Sequence, residues 1–411
     1  MLIEEKYAEL IDIAEAVRLH HIQEKKFNTN LISVLWTIPA NRDTATGMAL
    51  LAEALRLGKD GNRDELEKKL AEMYGAVLDT MIIKKGGRQL LNINIEFVTD
   101  NVASEKVYKN AVQLMKDIIN SKIAQLAFDQ AKSRLQTSLL QRNDLASEYT
   151  IDRLVDIVYP DDDFSIHGDG YIEDIEKVRL SDLNDLFMYL KVSAHTGIFI
   201  SGDVEREKAI KTAHEIIGRR EDVEKLSIDE VNISRGCAEK NEIRNIGQSR
   251  LAIAYTTDLK AWGKDWLSAL IIREVLCGSG LSLLYDNVRQ KEGLCYYIGA
   301  KLMRFRMLYI IDAGVSLGHE ESVVNMVHEC IENISINDEQ LKRAKGAILY
   351  DFKASQDRRT GLINETLNDV LLGVTIEHNI EDELNEIKLD EINSKIKNLN
   401  KKGVFILSGN V

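Results

Sequence analysis

The feature that most limits what this chain can fold into is a repeat of long period. An apolar run leading into Ser-Gly-Asp/Asn-Val occurs twice, as GIFISGDV over 197–204 and GVFILSGNV over 403–411. Their serines, Ser201 and Ser408, lie about 207 residues apart, and the β-rich runs LISVLWTIP (31–39) and SRLAIAYT (249–256) are offset by about 219. Solenoid and propeller repeats have periods of roughly 20–50 residues, so the spacing points to two copies of one domain. A chain of 411 residues is also too long for one ordinary core.

Each copy has the same order of elements. In the first half, residues 1–26 read as polar and partly helical, and 31–39 as a strand. A helix follows that Asp43 or Thr44 can cap, with Met48, Leu51, Ala52 and Leu55 on one face and Gly58 at its end. A second helix spans Asn62 to Tyr74 and stops at Gly75, before strands Val77–Ile83 and Gln89–Val98 joined by KKGGR. Helices are expected through 104–158, near 181–190 and over 205–219, with a strand at 196–204. The second half gives a strand at 249–256, a helix at 264–276, strands Cys295–Leu302 and Met307–Val315 around the basic MRFR turn, and helices at 320–333, 338–356, 360–373 and 388–399. Strand pairs alternating with blocks of helices predict an α+β fold. The expected division is 1–219, a charged linker at 220–245, and 246–411.

Charge and composition narrow the function. The net charge of −13 is spread along the chain, which argues against nucleic acid and anionic membrane as partners. No apolar run reaches spanning length, and the first twenty residues are charged throughout, unlike a secretory signal. Cys237, Cys277, Cys295 and Cys330 form no C-x-x-C pair, so reduced thiols in a cytoplasm are expected.

The most informative stretch is VLCGSGLSLLYDNVRQKEGLCYY, 275–297. Gly278 and Gly280 break the chain, Leu281, Leu284, Tyr285 and Val288 share a helical face, and Gly293 stands where a left-handed C-cap belongs. Arg289 then lies on the last helical turn and Tyr296 near the start of the next strand. A guanidinium fork and a phenol at one corner can clamp a peptide backbone. The plainer reading is a cation suited to the helix dipole beside a half-buried strand tyrosine.

Three places carry a family resemblance: R-x-x-x-G-L-x-Y at Arg289, Gly293, Leu294 and Tyr296, preceded by G-S-G-L-S-x-L-Y from Gly278 to Tyr285; LEKKLAEMYGAVLDT at 66–80; and the paired S-G-(D/N)-V ends. In these the chain resembles the insulinase/pitrilysin-like zinc peptidases with an inverted metal motif, in their short bacterial two-domain form. The resemblance implies that each half is an antiparallel sheet with helices packed on one face, a LuxS/metallohydrolase-like layout, the halves related by pseudo-symmetry.

Active members of that family bind zinc through H-x-x-E-H, two histidines on one helical face with a glutamate as general base. Here the corresponding helix, GMALLAEALRLG, offers Leu50/Glu53/Ala54 or Ala49/Ala52/Glu53. The third ligand of the family is a glutamate some 75–80 residues on, but residues 106–147 contain no Glu and Asp129 is the nearest carboxylate. The histidines at 20, 21, 167, 195, 214, 319, 328 and 378 include no pair four apart. No metal ligand and no catalytic residue is read from this chain, and no G-x-S-x-G elbow or phosphate loop is present. Glu53 lacks a metal or a paired partner and reads as a helix-face charge.

Some bacterial members of the family divide the work between two chains, one carrying H-x-x-E-H and the other retaining the Arg and Tyr. The resemblance therefore implies a non-catalytic, substrate-holding subunit with Arg289 and Tyr296 as substrate-binding residues. No cofactor is expected in this chain; zinc is expected in a homologous catalytic partner, and a peptide or leader peptide as substrate. The degenerate subgroup it resembles is linked to elongation-factor-P modification or to bacteriocin maturation. The rival readings are a structural subunit, like the core proteins of the respiratory bc complex, and a homodimeric, metal-independent peptide-binding protein.

Overall fold

A computed structural model describes residues 8–58, 61–103, 106–223, 237–278, 282–291, 293–374 and 380–410. The chain forms two compact units, one from 1–141 and 166–227, the other from 142–165 and 228–411. Strands in chain order are β1 (Glu9–Ala14), β2 (Val17–Gln23), β3 (Thr29–Pro39), β4 (Val77–Lys85), β5 (Arg88–Val98), β6 (His195–Gly202), β7 (Ala238–Arg244), β8 (Ser249–Thr256), β9 (Cys295–Met303), β10 (Leu308–Val315) and β11 (Asn400–Gly409). The helices are α1 (Arg42–Leu55), α2 (Arg63–Glu72), α3 (Lys106–Asn120), α4 (Gln125–Asp144), α5 (Ala146–Val158), α6 (Leu180–Ser193), α7 (Arg206–Ile216), α8 (Gly263–Cys277), α9 (Glu320–Glu332), α10 (Asp338–Gln356), α11 (Arg359–Leu372), α12 (Ile380–Glu386) and α13 (Leu389–Lys397).

The first sheet runs β1-β2-β6-β3-β5-β4 and the second β7-β11-β8-β10-β9. Set side by side, β2, β6, β3, β5 and β4 take the places of β7, β11, β8, β10 and β9. The duplication expected from the paired Ser-Gly segments is thus a duplication of strand order, with β1 added to the first copy. The expected all-antiparallel pairing needs one amendment. Each sheet holds a parallel pair, β2 with β6 and β7 with β11.

In the first unit β3 is the central strand, buried over nearly its whole length, and it pairs with β5 from Thr29 opposite Val98 to Pro39 opposite Arg88. Ile32, Val34 and Trp36 join a core with Met48, Leu51 and Leu55 of α1. Asn41, rather than Asp43 or Thr44, caps α1, accepting the Asp43 amide at 2.8 Å. Residues 9–23, expected to be polar and partly helical, are strands. Val17, Leu19 and Ile22 are buried, and the polar positions that hid the pattern, His20 and His21, are buried too.

In the second unit β10 ties to α8 through the Tyr309 hydroxyl, which donates to the Ala269 carbonyl at 3.1 Å. The other face is covered by α5, a helix from 142–165 that the sequence reading kept with the first half. Ile151, Leu154, Val155 and Val158 pack on Ala252, Ala254, Leu308, Ile310, Phe405 and Leu407. Gly403 is needed there, because a Cβ on it would fall 2.5 Å from Val158. Two polar anchors fix the same segment. Arg306, in the MRFR turn, donates to Asp162 at 2.9 Å with its side chain only 3% exposed. Glu242 of β7 accepts the Tyr149 hydroxyl at 2.6 Å and Arg153 at 3.0 Å. Burial by itself would raise the Glu242 carboxyl, but Tyr149, Lys240 and Arg153 outweigh it and hold it down to about 2. The expected linker therefore contains a strand, β7; of the rest of it, 224–236 lies outside the described residues.

Candidate functional site

The first unit places the metal-motif positions inside the core. Leu50 and Ala54 are fully buried and Ala49 and Ala52 nearly so. Thr80 of β4 donates its hydroxyl to the Ala52 carbonyl at 2.6 Å, drawing strand against helix. Glu53 is matched by Arg56, 3.6 Å away, and Arg56 also donates to the Thr80 carbonyl at 2.5 Å and lies 3.6 Å from Asp79. A cation already sits where the remaining carboxylate could meet a ligand. Asp129 is exposed and accepts from Gln125 one helical turn away at 2.8 Å. His20 stacks on Phe199 with centroids 4.2 Å apart, and burial, then Arg18, pushes its imidazole down to about 3. His21 meets the Val204 carbonyl at 2.8 Å. Among the described residues no group of three or more His, Cys, Asp or Glu could hold a metal ion.

The corresponding corner of the second unit is built differently. Tyr285–Lys291 forms a π-helical turn, one residue wider than the α-helix expected from the Leu/Tyr/Val spacing. Leu284 and Val288 are its buried anchors, while Gly280 and Leu281 of the expected turn and face lie outside the described residues. Gly293 has φ +66, the left-handed cap, and its amide donates to the Arg289 carbonyl at 3.1 Å. The Arg289 guanidinium lies 4.7 Å over the Tyr285 ring. It also acts on Cys295: burial raises that thiol and Arg289 pulls against the rise. Tyr296 is the second residue of β9 and 61% exposed. β9 is the last strand of its sheet, bonded on one side only. The structure thus brings both residues to one corner, with Arg289 stacked and Tyr296 turned to solvent.

Alternation along β9 sets Ile298 and Ala300 on one face, and the ladder shifts register at Tyr296, which has no partner opposite it in β10. Ala300 lines an open cavity of about 530 Å³ with Cys277, Gly278 and Tyr350. Burial raises the Cys277 thiol, which makes it a poor nucleophile. On the opposite face is a group that sequence reasoning missed. Tyr297 lies across Gly299, where a Cβ would collide with its hydroxyl, and beside Asp312 of β10, which acts on its phenol. Asp312 is buried, which pushes its carboxyl up against the pull of Lys301. The available signal was a charged residue inside the apolar strand LYIIDAGV, opposite a glycine in the neighbouring strand.

With this geometry in hand, comparison with known proteins gives a consistent picture. Residues 177–348 match the family described as Peptidase M16 inactive domain. A Bacillus subtilis protein described as a probable inactive metalloprotease is 22% identical over 84% of each chain. A Helicobacter pylori protein described as a non-peptidase homolog is 21% identical over 81% of this chain and 82% of its own. The crystal structure of a conserved protein from Enterococcus faecalis superposes with a TM-score of 0.89 at 22% identity, covering 98% of this chain and 99% of that one, which shows the fold. The matched segment contains both Arg289 and Tyr296, and the helix that would carry the zinc motif is apolar. The chain is thus M16-like and degenerate: over 177–348 it is similar to the inactive domain of those peptidases, and the relatives it matches are described as inactive or non-peptidase homologues.

Proposed function

We propose that this protein is the non-catalytic, substrate-holding member of a two-chain zinc peptidase, with Arg289 and Tyr296 gripping the peptide beside the zinc of a homologous partner that carries H-x-x-E-H. The observation that carries this reading is the contrast between the two corners. The one that would need ligands is filled by Leu50, Ala54 and Arg56, while the one that would need only hydrogen-bond donors keeps an exposed phenol and a partly buried guanidinium. The substrate class is a peptide, either a precursor or a leader. A purely structural role is the rival, favoured by the packing of Arg289 on Tyr285.

Co-expression with such a homologue and peptide-cleavage assays of each chain and of the mixture test the reading. Cleavage is expected only from the mixture, with the zinc in the partner. Arg289→Ala should reduce turnover by roughly 10–100-fold, the scale of a lost charged hydrogen bond of about 1.5–3 kcal/mol, with Tyr296→Phe smaller and assembly unchanged in both. Full cleavage by the partner alone overturns the proposal in favour of the structural role.

A further inference from the structure

A second cavity, of about 220 Å³, lies among α8, α10, α11 and α12. Sites for drug-sized ligands are roughly 300–1,000 Å³, so this one suits a single side chain or a molecule of that size. Its apolar wall comes from Trp266, Leu267, Leu270, Ile348 and Phe352. Two arginines reach it, and both are already matched. Arg304, its side chain only 7% exposed, lies 3.3 Å from Glu365 and 3.4 Å from Asp369, donates to the Ala261 carbonyl at 2.8 Å, and sits 4.7 Å over Trp266. Arg273 is paired with Glu274 at 3.2 Å. Asp351 and Glu383 complete the lining. Among the described residues neither of these two carboxylates has a hydrogen bond or an ion pair. Lys264 acts on Glu383 but is itself bonded to Glu386, so the charge left over at the rim of an apolar slot is negative.

We propose that this cavity binds an alkyl cation, a guanidinium or primary ammonium on a short aliphatic stem. The stem lies against Leu267, Leu270, Ile348 and Phe352, and the cation meets Asp351 and Glu383. Arg304 acts on the walls instead, holding α11 to α8 and keeping Glu365 and Asp369 from repelling the rim carboxylates. The chemistry is shared by a free amine and by a basic side chain within a peptide. The site is distinct from the Arg289 corner and does not depend on its assignment.

Calorimetric titration of the full chain with agmatine, Nα-acetyl-arginine methylamide and the neutral analogue butylurea tests this. Saturable binding of a cationic probe is expected, weakened about tenfold by Glu383→Gln combined with Asp351→Asn, weakened by added salt, and stronger than that of butylurea. Agmatine alone binding assigns a free amine; equal binding of the acetylated arginine assigns a peptide-borne side chain. Leu270→Phe, which narrows the slot without touching a charge, should also abolish binding and covers the case in which the double variant unfolds. Absence of binding by both cationic probes at millimolar concentration, butylurea binding as tightly as agmatine, or indifference to both variants overturns the proposal.

Discussion

The two sheets share a strand order, yet the corners where helix meets outer strand have gone opposite ways. Between α1 and β4 the space is closed by Leu50 and Ala54, and the charge of Glu53 is matched by Arg56. Around β9 it is open: Tyr296 and Tyr297 are 61% and 44% exposed and an open cavity adjoins Ala300. One backbone plan therefore tolerates either a packed seam or a wet cleft, depending on side-chain volume and charge at a few positions. The layers that hold the fold are apolar and indifferent to that choice.

Forcing the closed corner to behave like a metal site should give a large effect, because two substitutions act together on the core. Leu50→His with Ala54→His restores the ligand spacing around Glu53, but puts two imidazoles into fully buried positions. Overpacking and unpaired buried polarity together should cost about 3 kcal/mol or more, read as a lowered melting temperature. Zinc analysis should show no stoichiometric metal, since Asp129 is exposed and tied to Gln125. Tight zinc with unchanged stability would mean that the two corners are interchangeable.

Asp162→Ala probes the second unit, removing the carboxylate that Arg306 meets in a site where its side chain is 3% exposed. Removing one partner of a buried pair costs about 3–5 kcal/mol, whereas replacing both by apolar residues is often neutral. Arg306→Met with Asp162→Leu should thus recover most of the loss in urea unfolding.

A pH series gives the smallest effect per step and reports on the first unit alone. His20 keeps its proton off down to about 3, against 6.5 for an ordinary imidazole. Between these values the unfolded chain takes up a proton that the folded chain refuses. Its contribution to stability is full above 6.5 and is lost as pH falls toward 3, at about 1.4 kcal/mol per pH unit. Denaturant midpoints compared at neutral and acid pH should fall less steeply in His20→Phe than in the native chain. Equal slopes would show that the ring is protonated in the fold.

Much of this was legible in the sequence, for identifiable reasons. Strands β3, β8 and β10 are continuous apolar runs and α1 carries a helical period, so their ranges, like those of α8 and α10, are legible within a residue or two. β7, with the sequence AEKNEIR, is half solvated and looks like linker until Glu242 finds Tyr149 and Arg153. The apolar face of α5 was visible, but periodicity says only that a face must be buried, never against which sheet. The wider turn at Tyr285–Lys291 leaves the same buried anchors as an α-helix would, so spacing could not distinguish it. At the candidate corner, Arg289 and Tyr296 were found through a motif, while Tyr297 and Asp312 depend on cross-strand register, which no local pattern reports.

The placement of α5 also bears on how the chain is made. Ile151 and Leu154 leave the ribosome about 250 residues before Phe405 and Leu407, the strand residues that cover them. At roughly 5–20 residues per second of synthesis, that apolar helix face waits on the order of ten seconds to a minute before the last of its partners arrives. During that interval it is a greasy, sticky surface on a nascent chain. A chaperone that masks helical segments, or a slower codon stretch placed after the first unit, would change the yield of native protein without touching its final stability.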